Sequence, residues 1–200
     1  LAQSLITKAD LFVVYVQYYH LDSRREAGTY FLKQTQTLEE IAYALTDAAA
    51  ATIPFLSLEG WRIEQIADII DQNPLLDFSG NDFLAVVGPG AAIPPEFEAH
   101  AGIPDVMSNG QPPSLEGFLF PATYQLKPGI TPFELRDEML AAFNRNVTDA
   151  MLQQAAAQDL TLYEVVTLAS IVERETVVAD EAPIIASVYL NRYRLPMRLD

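Results

Sequence analysis

One glutamate, Glu175, stands where sequence patterns rarely place a charge. Thr161 and Glu164 form a capping-box pattern, which predicts that a helix begins at this point. At about 100° per residue, Glu175 then falls roughly 20° from Leu168, near the middle of the apolar stripe. A carboxylate in that position must be partnered, protonated or exposed in a cleft, because burying it alone costs too much free energy. Glu175 is therefore a candidate catalytic acid; in the alternative, the helix frays after Val172 and Glu175 is a solvated end.

A second stretch, residues 114–126, combines aromatic side chains with a single acid. Phe118, Phe120 and Tyr124 surround Glu116 in the sequence, together with serine and threonine hydroxyls. Such a mixture suits a sugar-binding cleft, where rings stack on pyranose faces and polar groups recognise hydroxyls. The alternative is that these rings are ordinary core residues.

Composition excludes several classes of function. The chain has 27 acidic and 12 basic residues and a net charge of −15, which argues against nucleic acid or anionic membrane surfaces as partners. It has no cysteine, so disulfides, thiolate chemistry and zinc–cysteine sites are excluded. His20 and His100 lack a second histidine at metal-ligand spacing, and no apolar run approaches the roughly 20 residues of a membrane span. We therefore expect no metal and no cofactor.

The first half of the chain predicts small strand–helix modules. The first expected element is a helix at residues 11–21 capped by Asp10, although this segment could also form a strand. A strand at 29–32 and a helix opened by Thr37 are expected next. They are followed by a strand at 53–58, a turn at 59–60 and a helix at 61–70. Residues 71–113 are divided by glycine and proline, leaving short helices at 82–87 and 95–100.

The second half predicts a mainly helical region. Thr131, Thr148, Thr161 and Asp180 each stand where a helix is expected to begin. The sequence therefore predicts an α+β protein with an N-terminal module at residues 1–52, a second module with a connecting segment at 53–110 and a third domain at 111–200.

Several motifs in this order resemble one family, the endolytic murein transglycosylases or YceG-like family. The motifs are residues 27–30 (Ala-Gly-Thr-Tyr), 58–61 (Leu-Glu-Gly-Trp), 115–121 (Leu-Glu-Gly-Phe-Leu-Phe-Pro), 168–176 (Leu-Ala-Ser-Ile-Val-Glu-Arg-Glu-Thr), 187–192 (Ser-Val-Tyr-Leu-Asn-Arg) and 197–199 (Met-Arg-Leu). The resemblance implies a LysM-like second module and a lysozyme-like catalytic region. It also implies a lyase that cuts the β-1,4 bond after N-acetylmuramic acid in peptidoglycan without water, leaving 1,6-anhydro ends.

The resemblance assigns roles to individual residues. Glu175 matches the catalytic glutamate, which first donates a proton and then accepts one; Ile171 and Val172 would help it keep its proton by excluding water. Glu116 is expected to position a sugar hydroxyl or to brace the catalytic helix, and Tyr124 to stack on a sugar. Asn191 and Arg192 are expected to bind substrate, with a helix C-cap and a salt bridge as their structural alternatives.

The resemblance also implies a setting for the protein. Peptidoglycan strands are the expected partner, together with proteins of cell-wall synthesis, on the outer side of a cytoplasmic membrane. An N-terminal anchor helix is expected to precede this sequence. Relatives carry a further block after Met-Arg-Leu, whereas this chain stops at Asp200, so we expect the chain by itself to be weakly active or inactive. Ala122 and Pro196 also depart from the family pattern.

Two rival functions remain open. One is a non-catalytic peptidoglycan-binding or scaffold protein of the cell envelope. The other is a pyridoxal-phosphate-dependent aminodeoxychorismate lyase, which would need a Schiff-base lysine. Only Lys8, Lys33 and Lys127 are available for that role, and none lies near a phosphate-binding pattern.

Overall fold

The computed structural model describes residues 9–24, 30, 32, 35–46, 52–107, 109–195 and 197. Its helices and strands are α1 (Ala9–Tyr18), α2 (Leu38–Ala44), β1 (Ile53–Leu56), α3 (Ile63–Gln72), α4 (Gly80–Val87), α5 (Pro95–Ala101), β2 (Thr123–Leu126), α6 (Pro132–Asn146), α7 (Asp149–Ala156), α8 (Leu162–Glu175) and α9 (Ala182–Arg194). Short 3-10 helices lie at Asp22–Arg24 and Ala179–Glu181. Residues 29 and 31 of the strand predicted at 29–32 fall outside the described residues, as do Lys8, Lys33 and Pro196.

The many helices and the small two-stranded sheet confirm the predicted α+β class. The chain divides into two compact units. One comprises Leu1–Phe55 and Tyr124–Ile130, and the other comprises Leu56–Thr123 and Thr131–Asp200. The domain boundaries near 52 and 110 stay predictions. None of the helices in the described ranges has the length and apolar character that crossing a bilayer requires.

In the first unit, α1 and α2 pack through a small apolar cluster that contains Val16, Leu21 and Ala42. The segment predicted as helix or strand is helical, and α1 includes Asp10 rather than beginning after it. The capping box that opens α2 is confirmed, because the Thr37 hydroxyl accepts a hydrogen bond from the Glu40 N–H at 3.2 Å.

The strand β2 is an element that the sequence patterns do not predict. It pairs with β1, and its residues alternate between exposed and buried positions. Tyr124 and Leu126 are its buried residues, as Ile53 and Phe55 are those of β1. A stretch of four residues is too short for this alternation to distinguish a strand from a loop in the sequence.

In the second unit, α3 and α4 pack together closely. The buried residues of α3 are Ile63, Ile66, Ala67 and Ile70. A β-carbon added to Gly80 would lie 2.4 Å from the carbonyl oxygen of Ala67, so only glycine allows this approach. Ser79 caps α4, which therefore begins two residues before its predicted start.

Among the described residues from 111 onward, α6, α7, α8 and α9 confirm the predicted mainly helical character. Phe118 is fully buried, and its ring contacts Phe97 and Phe143 edge to face at centroid distances of 5.4 and 5.3 Å. Phe118 is therefore a core residue, as the structural alternative for the aromatic stretch stated. This aromatic cluster packs the loop at residues 114–121 against α5 and α6.

Candidate active site

The helix that carries Glu175 is well defined at both ends. Thr161 and Glu164 form the predicted capping box, with the Thr161 N–H donating to the Glu164 carboxylate at 2.7 Å. At the other end, the N–H and hydroxyl of Thr176 donate to the Val172 carbonyl at 2.9 and 2.6 Å. The helix therefore continues to Glu175, and the alternative that it frays after Val172 is wrong.

The Glu175 side chain is exposed at the last residue of α8. Leu168 is buried, whereas Ile171 and Val172 are half-buried. The expectation that apolar neighbours enclose the carboxylate is therefore wrong for this structure. The helical wheel gives the direction of a side chain correctly, but it does not show whether another element covers that turn of the helix.

A groove of about 650 Å³ lies along one face of α8. We call it the Trp61 groove; its walls are mainly the turn at residues 58–62, the loop at 114–121 and this face of α8. The side chains that α8 contributes are Tyr163, Val166, Thr167, Ser170, Glu173 and Arg174. A β-carbon on Gly117 would lie 2.7 Å from Cγ1 of Val166, so glycine is needed for the loop to approach α8 this closely. The groove has rings, hydroxyls and charges of both signs.

Glu116 lies in the Trp61 groove and caps α3. Its Oε2 accepts a hydrogen bond from the Ile63 N–H at 3.3 Å, and the N-cap residue Arg62 has no side-chain acceptor of its own. Desolvation raises the pKa of the Glu116 carboxyl and the charge of Glu64 adds to this, whereas the Ile63 hydrogen bond and Arg62 oppose it. The helix that Glu116 braces is therefore α3 and not α8. Its predicted contact with sugar stays a prediction.

Glu173 and Arg174 lie in the groove, and the sequence pattern does not single them out. A signal is nevertheless present, because Tyr163, Thr167, Ser170 and Arg174 recur every three or four residues and mark a polar face opposite the apolar stripe. Glu175 lies two residues beyond Glu173, roughly 200° around the helix, and does not line this groove.

A second groove, of about 800 Å³, lies between α8 and α9. Its walls are mostly apolar, with Leu168 and Val172 on one side and Ala186 and Leu190 on the other. A hydrogen bond from the Tyr193 hydroxyl to the Glu164 carboxylate also joins the two helices. Burial acts to raise the pKa of Glu164, but hydrogen bonds from Tyr193 and Thr161 outweigh it and lower that pKa.

The remaining predicted site residues lie outside both grooves. Tyr124 is only 6 % exposed, so its ring belongs to the core of the first unit and the stacking role predicted for it is wrong in this structure. Asn191 and Arg192 lie on the last turns of α9, with the Arg192 guanidinium 5.9 Å from the Tyr189 ring centroid. Asn191 is not a helix C-cap, because α9 continues to Arg194.

Comparison with known proteins identifies similar chains. The chain is 30 % identical over 211 residues to the endolytic murein transglycosylase of Streptococcus pneumoniae strain D39, covering 98 % of this chain and 37 % of the relative. It is 25 % identical over 201 residues to the endolytic murein transglycosylase of Bacillus subtilis strain 168, covering 98 % of this chain and 54 % of the relative.

A solved structure is also similar. The 2.6 Å crystal structure of a yceG-like protein from Listeria monocytogenes matches with a TM-score of 0.59 and 28 % identity, covering 98 % of this chain and 65 % of that one. The chain thus spans less than two thirds of each of these proteins. The model of the YceG-like family matches residues 1–200, so the chain belongs to the YceG-like family.

Proposed function

We propose that this protein is an endolytic lytic transglycosylase of peptidoglycan, with Glu175 as its catalytic acid and base. The observation that carries the proposal is the position of Glu175: an exposed carboxylate on the last residue of a capped helix, within the motif at 168–176. Family membership over the whole chain and the names of its relatives support the reaction class.

The reaction needs one carboxyl group with two successive tasks. Protonated Glu175 donates its proton to the oxygen that leaves as the β-1,4 bond between N-acetylmuramic acid and N-acetylglucosamine breaks. The Glu175 carboxylate then accepts the proton of the muramyl 6-hydroxyl, whose oxygen bonds to C1 and closes the 1,6-anhydro ring. The sugar's own hydroxyl replaces the second carboxylate or water of ordinary glycosidases. No water or cofactor is consumed.

Bound substrate has to exclude water from the Glu175 carboxyl for the first proton transfer. The Glu175 carboxylate is exposed, and a carboxyl holds its proton better when water is excluded from it. The Trp61 groove runs along the same helix and offers Glu116 and the half-buried ring of Trp61 to a glycan. Glu175 is the last residue of α8 and projects roughly 160° away from Glu173, so a strand held in this groove has to pass around the end of the helix to reach it.

The other family features belong to the same proposal. Residues 53–110 include the LysM-like module and residues 111–200 the lysozyme-like catalytic region. Asn191 and Arg192 contact the substrate from α9. The full-length protein is anchored by an N-terminal helix on the outer side of the cytoplasmic membrane, where it works with cell-wall synthesis proteins during wall assembly and remodelling.

A second candidate function is glycan binding without turnover. The observation in its favour is that the Trp61 groove has the lining of a sugar site, whereas Glu175 lies outside it. The pyridoxal-phosphate alternative has less support. Lys127 is exposed in the turn after β2 and lines neither groove, while the other two lysines fall outside the described residues.

The test is a digestion of purified sacculi with the longest natural form of the protein. Products are identified by mass spectrometry, using wild type, Glu175→Gln and Glu138→Gln, an exposed carboxylate on α6 that serves as the matched control. Removing a general acid–base costs at least about a hundredfold in rate, so Glu175→Gln should lose the anhydro-ended products while still binding sacculi. Glu138→Gln should match wild type.

Two results would separate the candidates. Binding of sacculi by wild type without any product would support the non-catalytic function. Products formed by Glu175→Gln at the wild-type rate would instead show that another group performs the chemistry.

A further inference from the structure

The lining of the Trp61 groove includes the carboxylate of Glu173, which has no role in the reaction described above. Glu173 lies on the last turn of α8, and its side chain is exposed. Within the described part of the chain it forms no hydrogen bond or ion pair. The groove therefore contains a charged acceptor whose hydrogen-bonding capacity is available to a ligand.

The turn opposite Glu173 leaves this carboxylate uncovered. A β-carbon added to Gly60 would lie 3.2 Å from Oε1 and 3.8 Å from Cδ of Glu173. Gly60 also has φ +71°, in the left-handed region that favours glycine. The positive φ selects glycine at this position, and a β-carbon there would push the exposed Glu173 carboxylate aside by a few tenths of an ångström. Gly110 has a similar φ of +80° but nothing within 4 Å of its added β-carbon.

We propose that Glu173 is a substrate-binding residue that accepts hydrogen bonds from a glycan strand in the Trp61 groove, and that Gly60 keeps its carboxylate uncovered. The ligand class is a β-1,4-linked strand of N-acetylated amino sugars, an identification that rests on the function proposed above. Hydroxyl and acetamido N–H groups of such a strand are donors that a carboxylate accepts well.

The remaining walls of the groove fit this ligand. Trp61 is half-buried, so part of its ring is available to a sugar face. Arg174 adds donors beside Glu173. The lining extends from the first to the last turn of α8, roughly 16 Å at 1.5 Å per residue, which is long enough for more than one sugar.

The direction of Glu173 separates its role from that of Glu175. The two side chains leave the helix in directions roughly 160° apart, so one group cannot replace the other. Glu173 is therefore expected to affect binding of the strand, whereas Glu175 affects the bond-breaking step. The catalytic role of Glu175 and the binding role of Glu173 can therefore be contradicted separately.

The test measures binding of chitotetraose, the β-1,4 tetramer of N-acetylglucosamine, by calorimetry. Glu173→Ala should weaken binding roughly tenfold, since it removes a charged hydrogen-bond acceptor. Glu173→Gln keeps an acceptor oxygen and should retain most of the affinity. Gly60→Ala should weaken binding by a smaller factor than Glu173→Ala, because its methyl group only displaces the Glu173 carboxylate, and the double variant should bind no more weakly than Glu173→Ala.

Gly110→Ala is the matched control for backbone strain. It should lower the melting temperature about as much as Gly60→Ala, because both place a side chain at positive φ, but it should bind the tetramer like wild type. Wild-type affinity in Glu173→Ala, equal losses of affinity in Gly60→Ala and Gly110→Ala, or no binding by wild type would each overturn the proposal. Product formation by Glu175→Gln would count against the proposed function alone.

Discussion

At the scale of residues, the Glu116 carboxyl leads to a prediction of how the stability of the fold depends on pH. Its carboxyl has a pKa raised above the ordinary value of 4.5, chiefly through desolvation. A carboxyl whose pKa is higher in the folded state stabilises the fold below the unfolded-state pKa, and this contribution is lost as pH rises through the folded-state pKa. Wild type should therefore lose stability relative to Glu116→Gln as pH rises above about 4.5.

Urea denaturation of both proteins between about pH 4 and pH 7 measures this difference. Gln can still accept the hydrogen bond from the Ile63 N–H, so the comparison isolates the charge. The raised pKa of Glu116 would be contradicted if the free energy of unfolding changed equally with pH in both proteins. It would also be contradicted if wild type became more stable relative to the variant as pH rises.

Single residues also show what a sequence can and cannot specify. The pattern around 161–176 predicts the start of α8 and singles out Glu175, because capping and helical direction are local properties. It cannot show that Glu175 is exposed while Glu173 lies in a groove, because the turn at 58–62 and the loop at 114–121 come from distant parts of the chain.

At the scale of elements, the contact between α3 and α4 depends on Gly80. A methyl group there would lie 2.4 Å from the Ala67 carbonyl oxygen, and backbone cannot move as readily as a flexible side chain. Gly80→Ala should therefore destabilise the protein by about 1–3 kcal/mol, even though alanine is the better helix former. Asn81→Ala, at the exposed next position of α4, is the control and should cause no such loss. Urea denaturation measures both; a Gly80→Ala variant as stable as the control would contradict the packing.

Helix starts are predictable where one capping pattern determines them, as at Thr37, Thr131 and Thr161. The start of α4 is less predictable because Ser79 and Gly80 have the composition of a turn, whereas Ser79 caps the helix and Gly80 is its first residue. The strand β2 is not predicted because its partner β1 is distant in the sequence. Pairing with β1, rather than local residue preference, determines that these residues form a strand.

At the scale of the whole molecule, sequence patterns predict the class of protein better than its organisation. Spaced capping signals and alternating strand and helix patterns are enough to predict an α+β protein with a helical second half. The grouping of Tyr124–Ile130 with Leu1–Phe55 in one unit is not predictable, because it depends on long-range strand pairing. The net charge of −15 agrees with an uncharged or cationic partner and opposes binding to polyanions.

The most direct test of the proposed mechanism is whether oxygen from water enters the products when sacculi are cleaved. In water enriched in heavy oxygen, a reaction that closes the muramyl ring with its own 6-hydroxyl gives anhydro ends without the heavy isotope, and Glu175→Gln gives none. We predict this result for the longest natural form of the protein, read by mass spectrometry of the released glycans. Heavy oxygen at the new ends would show hydrolysis, and undiminished product from Glu175→Gln would show that the solitary acid is not Glu175.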